Sequence, residues 1–216
     1  MMKKKVKIKL CGLTSPQDIY TVNQYMPDMA GFVFSKQSRR YVTPQQAFGL
    51  KQLLSPAILS VGVFVNESRE QIVRLCSQRV IDAIQLHGQE TESDIRWLKG
   101  HTGKTLIKAI NVRSVADLAY WSGSCADYLL LDHGAGGTGR SFDWNLASAC
   151  TKPFFLAGGI NSRNLASALS TGAYAVDLSS GAETDGKKDP LKIAAIMRIM
   201  HTQNTLTPNE RSTSYV

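Results

Sequence analysis

The chain has 216 residues, 43% of them hydrophobic, and a formal net charge of +8. That length fits one α/β domain and is somewhat below the ~250 residues of a typical (β/α)8 barrel. Its apolar runs are far shorter than the ~20 residues of a transmembrane helix, and residues 1–9 lack the apolar core of a secretory signal. We therefore expect a cytoplasmic globular protein with no membrane partner.

Cysteine usage and charge exclude several classes of site. The four cysteines, Cys11, Cys76, Cys125 and Cys150, show no CxxC spacing and no neighbouring histidine pair, so we predict neither a metal site nor a disulfide framework. The basic residues are scattered and no nucleic-acid recognition motif accompanies them, so no nucleic-acid partner is expected. A positive net charge also attracts anionic small molecules, which is the interpretation we favour.

Short apolar or β-branched runs recur along the chain and predict eight strands: Val6–Cys11, Met29–Phe34, Leu59–Val65, Ile81–Leu86, Thr105–Ile110, Tyr128–Asp132, Phe154–Ala157 and Ala175–Leu178. Helix-like segments follow them at Pro16–Tyr25, Pro44–Leu54, Glu67–Cys76, Glu90–Leu98, Ser114–Trp121, Asn145–Cys150, Ser162–Leu169 and Pro190–His201. Eight strand–helix units favour an α/β fold of the (β/α)8 TIM-barrel type over an open doubly wound sheet. We expect residues 1–203 to form this single domain and 204–216 to be a polar, disordered tail.

Side-chain alternation along the first strand places Cys11 on the face that points into the barrel. Ile8 and Leu10 belong to the apolar set that must pack on helices, which leaves Lys9 and Cys11 inside. A lone cysteine is usually a small buried hydrophobe, but a purely structural interior avoids lysine. Lys9 could also hold a thiolate by lowering the pKa of Cys11. We therefore predict a functional Cys11 at a strand end, where barrel enzymes carry catalytic groups.

The segment Leu129–Trp144 runs from three leucines into Asp132 and then into a glycine-rich loop. Asp132 could simply cap that loop. The apolar run before it indicates partial burial, however, and burial raises a carboxyl pKa, so a protonated acid becomes possible near neutral pH. Cys11 and Asp132 are thus a candidate base and acid at two strand ends.

Loops of small residues also follow the seventh and eighth strands, at Gly158-Gly159 and at Ser180-Gly181. In barrels these two loops commonly bind phosphate through backbone N–H groups. The chain contains no Walker A pattern, so a nucleoside triphosphate is not indicated. We predict a site for a smaller phosphorylated ligand.

Several motifs occur in the order that is typical of one enzyme family: Lys9–Thr14, Gly31–Phe34, Ser38–Val42, Val61–Asn66, Gln85–Gly88, Leu130–Trp144, Leu156–Ile160 and Val176–Glu183. They make the chain resemble phosphoribosylanthranilate isomerase, the third enzyme of tryptophan biosynthesis from chorismate, from about Val6 to His201. The departures are Ala182 in the last motif and a short region around Met26–Asp28, and neither touches a proposed catalytic residue.

The resemblance implies a cofactor-free Amadori rearrangement of N-(5-phosphoribosyl)anthranilate, a small anionic substrate. In family terms Asp132 is the general acid and Cys11 the general base, which agrees with the chemistry derived from the strands. Arg40 matches the arginine that binds the anthranilate carboxylate, and a planar guanidinium suits that group. The other substrate-binding positions are Gly137, Gly158, Gly159, Asp177, Ser180 and Gly181. Gln85 and His87 are expected only to line the site.

Two other functions remain open on the sequence. One is a related barrel isomerase acting on the sugar phosphate of histidine biosynthesis, but that enzyme normally carries acids at the ends of strands one and five, whereas strand one here ends in Cys11. The other is a non-catalytic module that binds a phosphometabolite or nucleic acid, against which the intact pair of Cys11 and Asp132 argues. Whether the protein is a monomer or a homodimer is left open.

Overall fold

Eight parallel strands close into a barrel in the computed structural model, which describes residues 5–132 and 143–205. The strands are β1 (Lys7–Cys11), β2 (Met29–Val33), β3 (Leu59–Phe64), β4 (Ala83–Leu86), β5 (Thr105–Asn111), β6 (Tyr128–Asp132), β7 (Phe154–Leu156) and β8 (Ala175–Leu178). Each pairs in parallel with the next, and β8 returns to β1 in a register that aligns Lys9 with Asp177. The predicted TIM barrel is confirmed, and the open sheet is excluded because β1 and β8 are hydrogen-bonded neighbours.

Helical segments alternate with the strands along the chain. They are α1 (Pro16–Tyr25), α2 (Pro44–Leu53), α3 (Arg69–Ser77), α4 (Glu92–Thr102), α5 (Val115–Ser122), α6 (Leu165–Leu169) and α7 (Pro190–Thr205), with a 3-10 helix at Trp144–Ala149. The predicted starts of α1 and α2 are confirmed. Ser15 and Thr43 each accept a hydrogen bond from a first-turn N–H, and proline occupies a first-turn position in both helices.

Several helical segments differ from the predicted ones in their bounds or their type. The helix α7 continues to Thr205, so the domain boundary predicted at 203 falls inside it, because the chain meets no helix-breaking proline before Pro208. The segment after Asp143 is a 3-10 helix instead of an α-helix, and α6 begins at Leu165 instead of Ser162. Residues 206–216, which include most of the predicted tail, lie outside the described ranges.

The barrel separates two apolar layers, as the alternation along β1 predicts. Ile8 and Leu10 are buried between the strands and the surrounding helices. Lys9 points the other way and is also fully buried, with 0% of its surface exposed. An inner apolar cluster that includes Val61, Leu130 and Phe155 fills part of the barrel interior. The inward lysine is therefore a real feature of the fold, and it requires a charged partner inside the barrel.

A short hairpin that the sequence did not predict follows β8. It consists of β9 (Glu183–Thr184) and β10 (Lys187–Lys188), paired antiparallel, with Gly186 at positive φ between them. The hairpin comes directly after the 3-10 turn at Ser180–Ala182 and leads into α7. It carries two charged side chains, Glu183 and Lys188, that are buried against the carboxyl end of the barrel. Across the described residues no helix is long and apolar enough to cross a membrane.

Candidate active site

The carboxyl ends of the strands surround a cavity of about 410 Å³. Strand ends and the loops that follow them contribute its walls, which is where barrel enzymes place their chemistry. Of the site residues predicted from the sequence, the structure brings together around this cavity Cys11, Arg40, Asp132, Gly158, Gly159, Asp177 and Ser180. Gly137 lies outside the described residues.

The thiol of Cys11 is buried at the end of β1, above an ion pair that spans β1 and β8. Lys9 Nζ lies 2.9 Å from Asp177 Oδ1 and 3.0 Å from Oδ2. Burial raises the pKa of the Cys11 thiol, the nearby Asp177 carboxylate adds to that rise, and the ammonium groups of Lys9 and Lys188 oppose it. The net pKa is therefore above the ordinary value. Lys9 does lower the pKa of the thiol, as expected, but removal of the thiol from water outweighs the attraction of the ammonium group.

Asp132 ends β6 on the far side of the cavity, where His87 approaches it from the loop after β4. His87 Nε2 lies 3.5 Å from Asp132 Oδ2, and His87 Nδ1 lies 2.8 Å from Gln85 Nε2. With the Gln85 amide in this orientation its nitrogen donates to Nδ1, and Nε2 is the ring nitrogen that faces Asp132. The imidazole is thus oriented towards the proposed acid.

His87 and Gln85 line the cavity, as expected, and their contacts make both of them functional candidates as well. Gln85 is 1% exposed, and its Oε1 has no hydrogen-bond partner among the described residues. A buried amide oxygen without a partner, in the wall of a cavity, is an acceptor for a bound ligand. The alternation of β4 could have identified both residues, since positions 85 and 87 point to the same inward face.

Arg40 reaches the cavity from the segment between β2 and α2 and is held by a carboxylate. Its Nε lies 2.7 Å from Glu183 Oε1, and its Nη2 lies 2.8 Å from Glu183 Oε2. This bidentate hydrogen bonding raises the pKa of the guanidinium despite its burial. The arginine stem passes so close to Gly12 that a Cβ there would lie 2.2 Å from Arg40 Cδ. A glycine at position 12 is therefore required for Arg40 to lie beside Cys11.

The two small-residue loops meet at the same end of the barrel. Gly158 and Gly159 both have positive φ, and the Gly159 carbonyl accepts hydrogen bonds from the side chains of Asn161 and Asn164. Among the contacts within the described ranges, the backbone N–H groups of Gly159, Ser180 and Gly181 have no protein acceptor. Free N–H groups on adjoining loops form a suitable site for an anion.

Gly181 itself contacts the neighbouring loop instead of lining the cavity. A Cβ at this position would lie 1.9 Å from the carbonyl oxygen of Ile160. The glycine therefore lets the loops after β7 and β8 approach each other. Its direct role in binding substrate stays a prediction.

The other cysteines lie away from this cavity. Cys76 is a buried residue of α3, and burial raises its pKa to about 11, while Cys125 is exposed. In the part of the chain that the structure describes, no three His, Cys, Asp or Glu side chains are grouped so that they could hold a metal ion. The ionisable groups that line the cavity include the thiol of Cys11, the carboxyl groups of Asp132 and Asp177, the imidazole of His87 and the guanidinium of Arg40.

Sequence comparisons with known proteins agree on one family. A profile described as N-(5'phosphoribosyl)anthranilate (PRA) isomerase matches residues 8–198. The N-(5'-phosphoribosyl)anthranilate isomerase of Endomicrobium trichonymphae is 43% identical over 201 residues, which cover 91% of this chain and 98% of that protein. The protein of the same name from Caldanaerobacter subterraneus subsp. tengcongensis is 41% identical over 191 residues, covering 85% and 92%.

Solved structures agree with the sequence comparisons. The phosphoribosyl anthranilate isomerase of Thermus thermophilus superposes with a TM-score of 0.85 at 29% identity, covering 92% of this chain and all of that one. A phosphoribosyl anthranilate isomerase in complex with reduced 1-(o-carboxyphenylamino)-1-deoxyribulose 5-phosphate gives a TM-score of 0.79 at 33% identity, covering 91% and 99%.

Proposed function

This chain belongs to the N-(5'-phosphoribosyl)anthranilate isomerase family, and we propose that it converts N-(5'-phosphoribosyl)anthranilate into 1-(2-carboxyphenylamino)-1-deoxyribulose 5-phosphate by acid–base catalysis. The observation that carries the proposal is the single cavity that Cys11, Asp132 and Arg40 share with two loops of free backbone N–H groups. Each part of the substrate has a counterpart there: a sugar ring for the thiol and carboxyl group, and two anionic ends for Arg40 and the loops.

Ring opening is the first chemical step, and Asp132 is its proposed acid. The protonated carboxyl group donates its proton to the furanose ring oxygen, the bond between C1 and that oxygen breaks, and the lone pair of the anilino nitrogen forms the C1–N iminium bond. His87 Nε2–H, directed at the same carboxyl group, stabilises the carboxylate that results. A positioned acid of this kind contributes about 10²–10⁴-fold in rate.

Removal of the C2 proton is the second step, and the Cys11 thiolate is its proposed base. The electrons of the C2–H bond form the C1–C2 double bond, and those of the C–N π bond return to nitrogen, which gives an enolamine. Tautomerisation then protonates C1 and releases the O2 proton, so the product is the ketone with no net gain or loss of atoms. The ammonium groups of Lys9 and Lys188 favour the thiolate electrostatically.

Binding of the two anionic ends holds the substrate across the barrel. The phosphate is assigned to the N–H groups of Gly159 and Ser180, which line the cavity, and the anthranilate carboxylate to Arg40. We further propose that the enzyme acts in tryptophan biosynthesis in the cytoplasm. A relative from Thermotoga maritima, 32% identical over 91% of this chain with a TM-score of 0.81, is described as monomers generated from a dimeric phosphoribosylanthranilate isomerase.

The test is the decay of fluorescence of freshly prepared phosphoribosylanthranilate with the wild type, Cys11→Ala and Asp132→Ala. We expect rapid decay with the wild type and a loss of about 10²–10⁴-fold in kcat in each variant. Cys76→Ala is a matched control, because Cys76 is as buried as Cys11, at 6% against 7% exposure, and lies outside the cavity. Wild-type turnover with full activity in Cys11→Ala would refute the base assignment, and no wild-type turnover would refute the function.

A further inference from the structure

The carboxylate of Glu183 lies at the centre of a cluster of cations beside the active-site cavity. Its Oε1 accepts from Arg40 Nε at 2.7 Å and from Lys188 Nζ at 2.6 Å, and its Oε2 accepts from Arg40 Nη2 at 2.8 Å and Arg39 Nη2 at 3.1 Å. Only 3% of the Glu183 side chain and 1% of the Lys188 side chain are exposed, whereas the Arg39 side chain is 60% exposed. The buried part of the cluster is therefore Arg40, Glu183 and Lys188.

The charge of this buried trio differs from that of an arginine–glutamate pair. Arg40 and Glu183 alone would sum to zero, and a neutral pair attracts an approaching carboxylate only weakly. With Lys188 the sum is two cations minus one carboxylate, or +1. The Lys188 ammonium is also tied to the wall of the cavity, since it donates to the carbonyl oxygen of Ser179 at 3.3 Å. Lys188 therefore restores the positive charge that pairing with Glu183 removes from Arg40.

The orientation of Arg40 follows from the same contacts. A guanidinium has five N–H donors, and Glu183 takes two of them, one on Nε and one on Nη2. The others have no acceptor within residues 5–132 and 143–205. Because Gly12 and Glu183 fix the stem and one edge of the group, the other edge is available in a set position to a second carboxylate.

We propose that Glu183 and Lys188 are positioning residues for recognition of the anthranilate carboxylate: Glu183 aligns Arg40, and Lys188 keeps the site positively charged. The inference rests on the proposed function, because it assumes that Arg40 meets that carboxylate. Neither residue touches the reacting carbon atoms. Their effect should therefore fall on binding of the carboxylate and leave the proton transfers unchanged.

Two ligands that differ only in the carboxylate test the role of Lys188. One is reduced 1-(o-carboxyphenylamino)-1-deoxyribulose 5-phosphate, and the other is the same compound without the ring carboxylate. Calorimetric titration of Lys188→Gln should show about tenfold or more weaker binding of the first ligand and nearly unchanged binding of the second. In steady-state assays KM should rise with little change in kcat. Lys188→Arg, which keeps the charge, should restore both.

Lys51→Gln is the matched control, because Lys51 also forms a 2.6 Å ion pair, with Asp82, but lies away from the cavity. It should bind both ligands like the wild type. If Lys188→Gln loses the same affinity for both ligands, Lys188 has a structural or phosphate-binding role and the inference is overturned. Unchanged affinity for both ligands would overturn it as well. If the wild type turns over phosphoribosylanthranilate but Lys188→Gln does not lose affinity selectively for the carboxylate-bearing ligand, only the inference is refuted. If the wild type shows no turnover, the proposed function is refuted.

A crystal structure of the wild type with the carboxylate-bearing ligand tests the role of Glu183 without any variant. We expect Arg40 to keep both hydrogen bonds to Glu183 and to contact the ligand carboxylate through its remaining N–H groups. The inference is overturned if Arg40 leaves Glu183 to reach the ligand, or if the carboxylate binds elsewhere.

Discussion

The thiol of Cys11 lies above two buried charges of opposite sign, Lys9 and Asp177. Its raised pKa makes the thiolate a strong base but leaves little of it at neutral pH. Lys9 is the largest favourable influence on that thiolate, and Asp177 holds its ammonium group in place. Cys11, the proposed base, and Lys9 and Asp177, which influence its pKa, thus all lie on the inward face of the neighbouring strands β1 and β8.

Replacement of Lys9 with methionine should move the rising limb of kcat/KM against pH to higher pH. The thiol must lose its proton to act as a base, and without the ammonium group its pKa rises further. Fluorescence assays between about pH 6 and pH 10 measure the limb. Lys51→Met, on an ion pair away from the cavity, should leave it in place. An unchanged limb in Lys9→Met would argue against Cys11 as the base.

At the scale of elements, the phosphate site depends on how closely two loops approach. The loop after β7 and the 3-10 turn after β8 meet at Gly181 and the Ile160 carbonyl. Hydrogen bonds of the Asn161 and Asn164 side chains also tie the loop after β7 to its own backbone. The free N–H groups of the two loops are therefore brought together by a contact that only a glycine allows.

Gly181→Ala should weaken both folding and phosphate binding. The added Cβ would overlap with backbone atoms that cannot rotate away, so we expect a loss of about 1–3 kcal/mol in the free energy of unfolding and a raised KM. Gly49→Ala is the contrasting control, since Gly49 lies on the exposed side of α2 with no atom within 4 Å of an added Cβ. It should stabilise by about 0.5–1 kcal/mol. Urea unfolding measures the free energy of unfolding of both variants. A Gly181→Ala variant as stable as the wild type would contradict the loop contact.

At the scale of the whole molecule, buried ion pairs are concentrated at the carboxyl end of the barrel. Lys9 with Asp177, Lys188 with Glu183, and Lys108 with Glu90 are each nearly excluded from water. Buried charges of this kind destabilise the fold strongly when one partner is neutralised. Burial alone would raise the pKa of Glu183, but its bonds to Arg40 and Lys188 lower it to about 2.

Acid should therefore destabilise the protein partly through Glu183. Its ordinary pKa is ~4.3, so the stabilisation is fully present above that pH and is lost as pH falls towards about 2. We expect Glu183→Gln to be less stable than the wild type at neutral pH and to show a smaller fall in unfolding free energy between about pH 5 and pH 2. Urea unfolding across this range checks it, and parallel curves for the two proteins would contradict it.

Rules that depend only on residues close together in the sequence were sufficient to predict much of the fold. The alternation in β1 predicted Lys9 and Cys11 on the inner face, and the caps Ser15 and Thr43 predicted the starts of two helices, because period and capping are properties of adjacent residues. The eight strand–helix units predicted the barrel, because parallel strands need crossover helices.

Only the tertiary structure decided the rest. Glu183 and Arg40 are 143 positions apart, and no local pattern says that their side chains meet. The net pKa of Cys11 likewise depends on how much water the closed barrel removes, against which the charge of Lys9 is the smaller effect. Sequence by itself thus determined the strands and the inward face of β1, through short-range backbone geometry. Burial and long-range charge pairing, which exist only once the barrel closes, determined the partners and the protonation behaviour of those residues.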